Sequence, residues 1–172
     1  IVTADFDSDG VIDLATANRD GDNLSVLAGN PDGTFGAASH IATGNLPFSV
    51  YAADINSDEN IDLASANYGE DNVSVYAGNG DGTFGAAASY ASGSFPIAVA
   101  AVDLDGMNGP DLVLPNSGSS DVSVLLNDGN GFFLVESRYD ARNVPQSVAI
   151  ADVDSLNGPD LVVANGIDLV SV

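Results

Sequence analysis

Short apolar runs separated by polar turns fill the chain, and they come in groups of up to four before the pattern starts again. A first run, at 50–53, 98–102 and 148–151, is led in by a proline (Pro47, Pro96, Pro145) and ends at an Asp-rich loop. A second follows the loop at 12–17, 61–66, 112–114 and 161–164. The third is built on Leu24-Ser25-Val26, Val73-Ser74-Val75, Val122-Ser123-Val124 and, one residue early, Val170-Ser171-Val172; the fourth covers 37–42, 86–91 and 132–139. Helical periodicity is absent, and short apolar runs bounded by Gly, Pro, Asn and Asp predict strands. Between third and fourth runs, Gly29-Asn30-Pro31-Asp32-Gly33-Thr34-Phe35 and Gly78-Asn79-Gly80-Asp81-Gly82-Thr83-Phe84 carry the Asp-Gly hairpin signal, and Asp128-Gly129-Asn130-Gly131-Phe132 is a divergent copy. Alanine-rich strands suggest sheets packed closely on both faces.

The spacing of these groups is constant. Their loops open at Asp5, Asp54, Asp103 and Asp152, 49 residues apart. Four antiparallel strands per repeat of about 40 to 50 residues is the signature of a propeller blade. The expected fold is therefore all-β, a single repeat array over 1–172 with repeats at about 1–46, 47–95, 96–144 and 145–172, the last incomplete. Propellers close with about 4 to 8 blades, so some three and a half blades predict a partial or edge-open propeller. It would be part of a larger ring, a four-bladed ring with an incomplete blade, or a chain that associates through unpaired strand edges.

The loops carry the candidate chemistry. In the first, Asp5, Asp7, Asp9 and Asp13 hold positions 1, 3, 5 and 9, with Gly10 at position 6 where the backbone must turn. Calcium takes about 6 to 8 oxygens; four carboxylates, the carbonyl of Val11 at position 7 and a water would fill that shell. Zinc would call for His or Cys, and the chain has His40 alone and no Cys. An EF-hand closes with Glu at position 12 between helices, whereas this loop closes at position 9 and feeds a strand. The second loop keeps oxygen donors at Asp54, Asn56, Asp58 and Asp62, with Asn60 at the carbonyl position, but puts Glu59 where glycine is preferred. That costs on the order of 1 kcal/mol if φ is positive, so weaker binding is expected. In the third and fourth loops Asp103, Asp105 and Asp111, and Asp152, Asp154 and Asp160, hold positions 1, 3 and 9, while position 5 is Met107 or Leu156 and position 6 is Asn108 or Asn157. These two share a Gly-Pro-Asp ending and form a separate subtype.

Composition narrows the function. Twenty-five acids stand against three arginines, for a formal net charge of −22. Binding nucleic acid requires neutralising phosphates with cations, so it is excluded as a partner. Such acidity suits a calcium-rich or saline exterior. The longest apolar run, 97–102, has six residues, far short of a membrane span, and no membrane insertion is expected. Without cysteine, stability must come from burial and metal rather than disulfides. Beginning inside a repeat, without an initiator Met or leader, the chain reads as a piece of a longer or processed product.

The aspartate loops, the pairs Phe35-Gly36 and Phe84-Gly85 and the Asn-Gly-Asp-Gly-Thr-Phe turn resemble FG-GAP/VCBS repeats, the calcium-bearing blades of integrin α-subunit heads and many secreted bacterial proteins. The resemblance covers essentially the whole chain. It implies a β-propeller with Ca2+ between the first and second strands of a blade, and ligand roles for Asp5, Asp7, Asp9 and Asp13, and for Asp54, Asn56, Asp58 and Asp62. The third and fourth loops depart at position 5, so only their three acids each carry over.

The leading expectation is a non-catalytic, extracellular or cell-surface calcium module for adhesion or for binding a protein or glycan. One alternative is a structural subunit of an extracellular filament joined through open strand edges; another is a lectin using Tyr51, Tyr68, Tyr76 and Tyr90, residues that could equally fill space between blades. An enzyme is not expected, because a Ser-His-Asp arrangement would rest on His40 alone. Turn chemistry explains Asp32 and Asp81 better than ligand roles. Glu70 and Glu136, outside the repeat phase, are expected to be solvated surface, and the sequons Asn23-Leu24-Ser25 and Asn72-Val73-Ser74 are explained as well by repeat inheritance.

Overall fold

The computed structural model describes all residues except 108, 135, 157, 167–169 and 172, and of 170 and 171 the backbone only. Asn108 and Asn157, expected at turn positions, Val135 of the expected fourth run and the last residue of the fourth Val-Ser-Val lie outside the described residues. Fifteen strands and one 3-10 turn, Arg19–Gly21, make up the regular structure among the described residues.

They form four antiparallel sheets, each wound in chain order. The first blade is β1 (Val2–Ala4), β2 (Asp13–Asn18), β3 (Asn23–Leu27) and β4 (Ser39–Ala42). The second is β5 (Pro47–Ala53), β6 (Asp62–Asn67), β7 (Asn72–Tyr76) and β8 (Ala88–Ala91), and the third β9 (Ala100–Val102), β10 (Asp111–Asn116), β11 (Asp121–Leu125) and β12 (Ser137–Asp140). The fourth has three strands, β13 (Pro145–Ala151), β14 (Asp160–Asn165) and β15 (Val170–Ser171). The sheets do not close into a ring. Each second strand begins at the closing Asp of its loop and ends in Asn: β2 and β6 start and end one residue later than the apolar run, while β10 and β14 pass it at both ends, because the ladder continues through polar residues that the apolar count leaves out. Fourth strands are shorter than their runs: the residues before them are held by single bridges such as Gly29↔Phe35 and Gly78↔Phe84.

The core lies between blades. Phe6, Ala15, Leu24 and Val26 of the first blade bury against Val50, Leu63 and Tyr76 of the second. Ala64, Ala66, Val73 and Val75 meet Val99, Leu112, Leu114, Leu125 and Phe133 of the third, and Val113, Val122 and Ala141 of the third meet Val163 of the fourth. Every residue of β6 and β10 is buried, as strands covered on both faces require; in β6 the small Ala64 and Ala66 let the sheets approach, whereas β10 fills the space with Leu112, Val113 and Leu114.

Up-and-down winding sorts the connections. The Asp-rich loops and the hairpins at 29–35, 78–84 and 127–133 emerge at one end of the sheets, and the turns at 19–22, 68–71 and 117–120 at the other, with the links between blades. Two surfaces of different chemistry result.

Candidate metal loops

In each loop the carboxylate of the closing Asp accepts backbone amide hydrogen bonds. Asp13, Asp62 and Asp111 are 2%, 1% and 0% exposed. One carboxylate oxygen accepts the amide of position 2 of the same loop, from Phe6 at 2.7 Å, Ile55 at 2.8 Å, Leu104 at 2.8 Å and Val153 (to Asp160) at 2.9 Å. The other accepts an amide beyond the third strand, from Gly29 at 2.7 Å, Gly78 at 2.8 Å and Asn127 at 2.8 Å. Burial of the charge raises the pKa of Asp62 and Asp111, against the pull of these amides. Position 9 thus clamps its loop to the hairpin, a role visible only once the register is known.

The rest of the loop is wound on Asp at position 1. Asp5 accepts the amides of Asp9 (3.1 Å) and Gly10 (2.9 Å), and Asp54 those of Asp58 (3.1 Å) and Glu59 (3.0 Å). Asp9 accepts from Val11 at 2.7 Å and Asp58 from Asn60 at 2.9 Å. The first two loops share these bonds, and the second adds Asn56 N–H to Asp62 at 3.2 Å and Asn56 Nδ2 to Asp58 at 3.0 Å. The other two follow a second scheme: Gly106 and Ser155 donate to Asp103 and Asp152 at 2.7 and 2.6 Å, and Met107 and Leu156 to Asp105 and Asp154 at 2.9 and 2.7 Å. The two subtypes read from the sequence are two backbone conformations.

Glu59 sits at φ +73°, in the left-handed region as expected, where the first loop has Gly10 at +86°. Position 4 is also left-handed in all four loops, at Ser8, Ser57, Gly106 and Ser155. Only the glycine of the third loop hinted at it.

Three loops bring carboxylates together: Asp5, Asp7 and Asp13; Asp103, Asp105 and Asp111; and Asp152, Asp154 and Asp160, each set with ligand atoms within 4.8 Å of one another. Asp9 stays outside its group, its carboxylate turned to the amide of Val11. In the second loop Asn56 takes the place of Asp7, and its Oδ1 accepts from Asp58 at 3.0 Å as Asp7 accepts from Asp9 at 3.2 Å. Desolvation in the crowded loop, reinforced by the carboxylates of Asp13, Asp9 and Asp5, raises the Asp7 pKa despite the amide of Asp9. The donors are all oxygen and convergent, and among the described residues no cationic side chain pairs with them. They fit a hard divalent cation such as calcium.

Other residues fall where the sequence placed them, or do not. Asp32 and Asp81 accept both the amide and the hydroxyl of Thr34 and Thr83, at 3.0 and 2.6 Å and at 3.0 and 2.5 Å; these are turn residues. Tyr51, Tyr76 and Tyr90 donate to carbonyls of the adjoining blade at Ala101, Ala42 and Gly131, and so fill space between blades. Glu136 is not solvated surface: it accepts from Arg138 Nε at 3.0 Å and from the Ser123 hydroxyl, and Arg138 also reaches the Ser92 carbonyl at 2.9 Å. It continues a buried ladder that the sequence carried in plain view, Asn18–Asn23–Ser25, Asn67–Asn72–Ser74 and Asn116–Asp121–Ser123. Asn23 and Asn72, the sequon residues, belong to it. His40 has a neighbour after all, since its Nδ1 lies 3.0 Å from Ser25 Oγ. That serine is 7% exposed and is held by Asn18.

A family model described as FG-GAP-like repeat matches residues 5–65 and again 54–114, together more than half of the chain. No curated protein matches the sequence. Among solved structures the fold is similar to that of BBS1N in its complex with ARL6DN (TM-score 0.63, 14% identity, 95% of this chain and 49% of that one). It is also similar to an Agrocybe aegerita lectin that recognises non-reducing terminal N-acetylglucosamine (0.63, 19%, 94% and 46%). A third is the V. cholerae biofilm matrix protein Bap1 (0.59, 20%, 94% and 23%). The chain thus spans about half the length of the first two and a quarter of the third.

Proposed function

We propose, from the premise that this chain belongs to the FG-GAP-like repeat family, that it is a non-catalytic extracellular module whose Asp loops bind calcium and whose blades present a surface to a protein or glycan ligand. The observation that carries this reading is the convergence of Asp5, Asp7 and Asp13, repeated at Asp103, Asp105 and Asp111 and at Asp152, Asp154 and Asp160. Three like charges so close repel one another, and a chain with net charge −22 has few cations of its own to set among them. Bound calcium would neutralise the cluster and stiffen the loop. Asp5, Asp7 and Asp13 would hold it in the first loop, with Asp54, Asn56 and Asp62 as the counterparts in the second. Asp9 and Asp58 would enter the shell by turning away from the amides they now accept.

A catalytic role finds no support in Ser25 and His40: the serine is buried, and among the described residues no carboxylate orients the imidazole as a triad would need. Similarity in fold to a lectin and to a biofilm matrix protein favours a glycan-binding or matrix role outside the cell.

The test is thermal and urea unfolding with and without a calcium chelator. A cation that binds only the folded state stabilises it by RT ln(1 + [L]/Kd), about 2.7 kcal/mol per site at a hundredfold excess over Kd. Identical unfolding curves in calcium and chelator would refute the calcium assignment. A matrix role as a filament subunit predicts concentration-dependent fibres by electron microscopy, and discrete particles throughout would argue against it.

A further inference from the structure

Opposite the Asp loops, three aromatic side chains meet at the surface, one from the start of β5 and two from connections. Tyr68, in the turn after β6, stacks on Phe95 with centroids 4.8 Å apart and planes at 16°, and its centroid lies 5.7 Å from that of Phe48 with the planes tilted at 32°. Phe48 and Phe95 are 47% and 44% exposed. Arg19, from the first blade, sets its guanidinium 5.5 Å from the Phe48 centroid and 5.9 Å from that of Tyr68, and among the described residues it makes no ion pair.

Two backbone devices aim these rings. Phe48 is extruded by a bulge, since Pro47 pairs with Asn67 and Ser49 with Ala66, leaving Phe48 without a partner. Phe95 is presented from a left-handed backbone, φ +57°, and its N–H donates a hydrogen bond to the Asp71 carboxylate at 2.8 Å. Its ring lies against Gly118, where an added Cβ would stand 2.4 Å from Cδ2. The platform is fixed before any ligand arrives.

The rings also break the 49-residue beat. Ile97 and Gln146 stand where Phe48 does, Leu46 and Val144 where Phe95 does, and Ser117 where Tyr68 does. Blade packing therefore does not require aromatics here.

We propose that the strip Phe48–Tyr68–Phe95 with Arg19 binds a neutral, pyranose-containing glycan, a proposal that rests on the interaction-module reading above and gives it a surface and a ligand class. The C–H face of a pyranose is apolar and slightly positive, and it stacks on aromatic faces as other positively polarised groups do. Around the rings stand Asn45, Glu70 and Asp71, all exposed, which accept hydrogen bonds from sugar hydroxyls, while Arg19 supplies donors. A polyanion is disfavoured by these same carboxylates and by the net charge of −22. The stack takes up the face of Tyr68 that meets Phe95, so the ring surface open to a sugar is that of Phe48 and Phe95.

The experiment screens the chain, in calcium, on an array of neutral oligosaccharides, uronate polymers and proline-rich peptides, and measures hits by calorimetry and saturation-transfer NMR. Phe48→Ala and Phe95→Ala are compared with Phe35→Ala, an exposed aromatic on the opposite face (45%). Expected are binding to neutral oligosaccharides, saturation transfer to sugar C–H protons, and a loss of roughly 2- to 12-fold for each strip variant, the worth of one ring contact, with Phe35→Ala unchanged. Where Phe95→Ala lowers the melting temperature, Phe48→Ala carries the comparison, because its extruded ring supports no ladder. The proposal is overturned if no neutral glycan binds, if only uronates or peptides do, or if Phe35→Ala weakens binding as much as Phe48→Ala. Calcium titration of the same samples keeps the readings apart: glycan binding with no calcium response would sink the metal assignment alone, and the reverse would sink this one.

Discussion

Replacing Asp62 separates the clamp from the metal. Its carboxylate accepts Ile55 N–H at 2.8 Å and Asn56 N–H at 3.2 Å on one oxygen and Gly78 N–H at 2.8 Å on the other, at 1% exposure. Asp62→Ala leaves those amides without a partner in a site too buried for free hydration, and each such orphan costs about 1–3 kcal/mol. Part is recovered because a desolvated charge is removed, the burial that raises the Asp62 pKa. The net expectation in chelator is a loss of about 2–4 kcal/mol, lowering Tm by about 2–4 °C per kcal/mol for a chain of this size. Asp62→Asn keeps one acceptor and turns an NH2 toward the other donors, so it should fall between. Asp58→Ala, whose carboxylate is exposed and accepts from Asn60 and Asn56, should cost under about 1 kcal/mol. Urea unfolding of all three in chelator gives the comparison, and in calcium each should lose further. If Asp62→Ala in chelator cost no more than Asp58→Ala, the clamp would be wrong and the closing Asp would serve the cation alone.

Glu59→Gly should stabilise the second loop by about 0.5–1 kcal/mol, since left-handed φ strains an L residue by more than glycine adds in unfolded entropy; a lower urea midpoint would count against it. At Gly78 an added Cβ would stand 2.3 Å from the Ile61 carbonyl oxygen, so Gly78→Ala should lose about 2–4 kcal/mol, and a near-neutral result would show the strands free to part. Asp32 and Asp81 have pKa values lowered by the hydroxyls and then the amides of Thr34 and Thr83. A carboxylate depressed in the fold adds stability above its unfolded value near 3.8 that is lost as pH falls through the folded one. Thr83→Val should bring the NMR-titrated pKa of Asp81 back toward that value and leave Asp32 unmoved.

The sequence made the blade legible because one beat governs both burial and turn chemistry: a loop, a hairpin and a proline recurring together leave little freedom of register. Less visible was what depends on residues meeting across that register. Gly29 and Gly78 press on the Ile12 and Ile61 carbonyls, and the position becomes Asn127 only where Pro110 replaces those isoleucines. There the side-chain Nδ2 of Asn127 donates to the Pro110 and Ile55 carbonyls at 2.9 and 2.7 Å. The Gly-Pro-Asp subtype is thus one half of an exchange whose other half lies 17 residues away. The spacing that places Asp9 in a cage also lets its carboxylate accept the Val11 amide two residues on and close a local turn, which the sequence alone does not distinguish. The aromatic strip was hidden for the opposite reason. It lies where the repeats disagree, and a search for likeness passes over it.

The Asp loops sit at seams, which changes what a cation there would do. Gly82, in the second hairpin, donates its amide to the Phe6 carbonyl of the first loop at 3.0 Å, and Asn127 reaches from the third blade to the Ile55 carbonyl of the second loop. Phe6 and Ile55 are themselves core residues of those interfaces. In a repeat array, stability is close to a sum of unit terms and nearest-neighbour interface terms. A metal that orders residues 5–13 therefore strengthens two terms at once, the first blade and its contact with the second. Loosening the first loop should accordingly raise hydrogen exchange at Gly82 and Tyr76 of the second blade as well as at Phe6, and do so before the third blade responds.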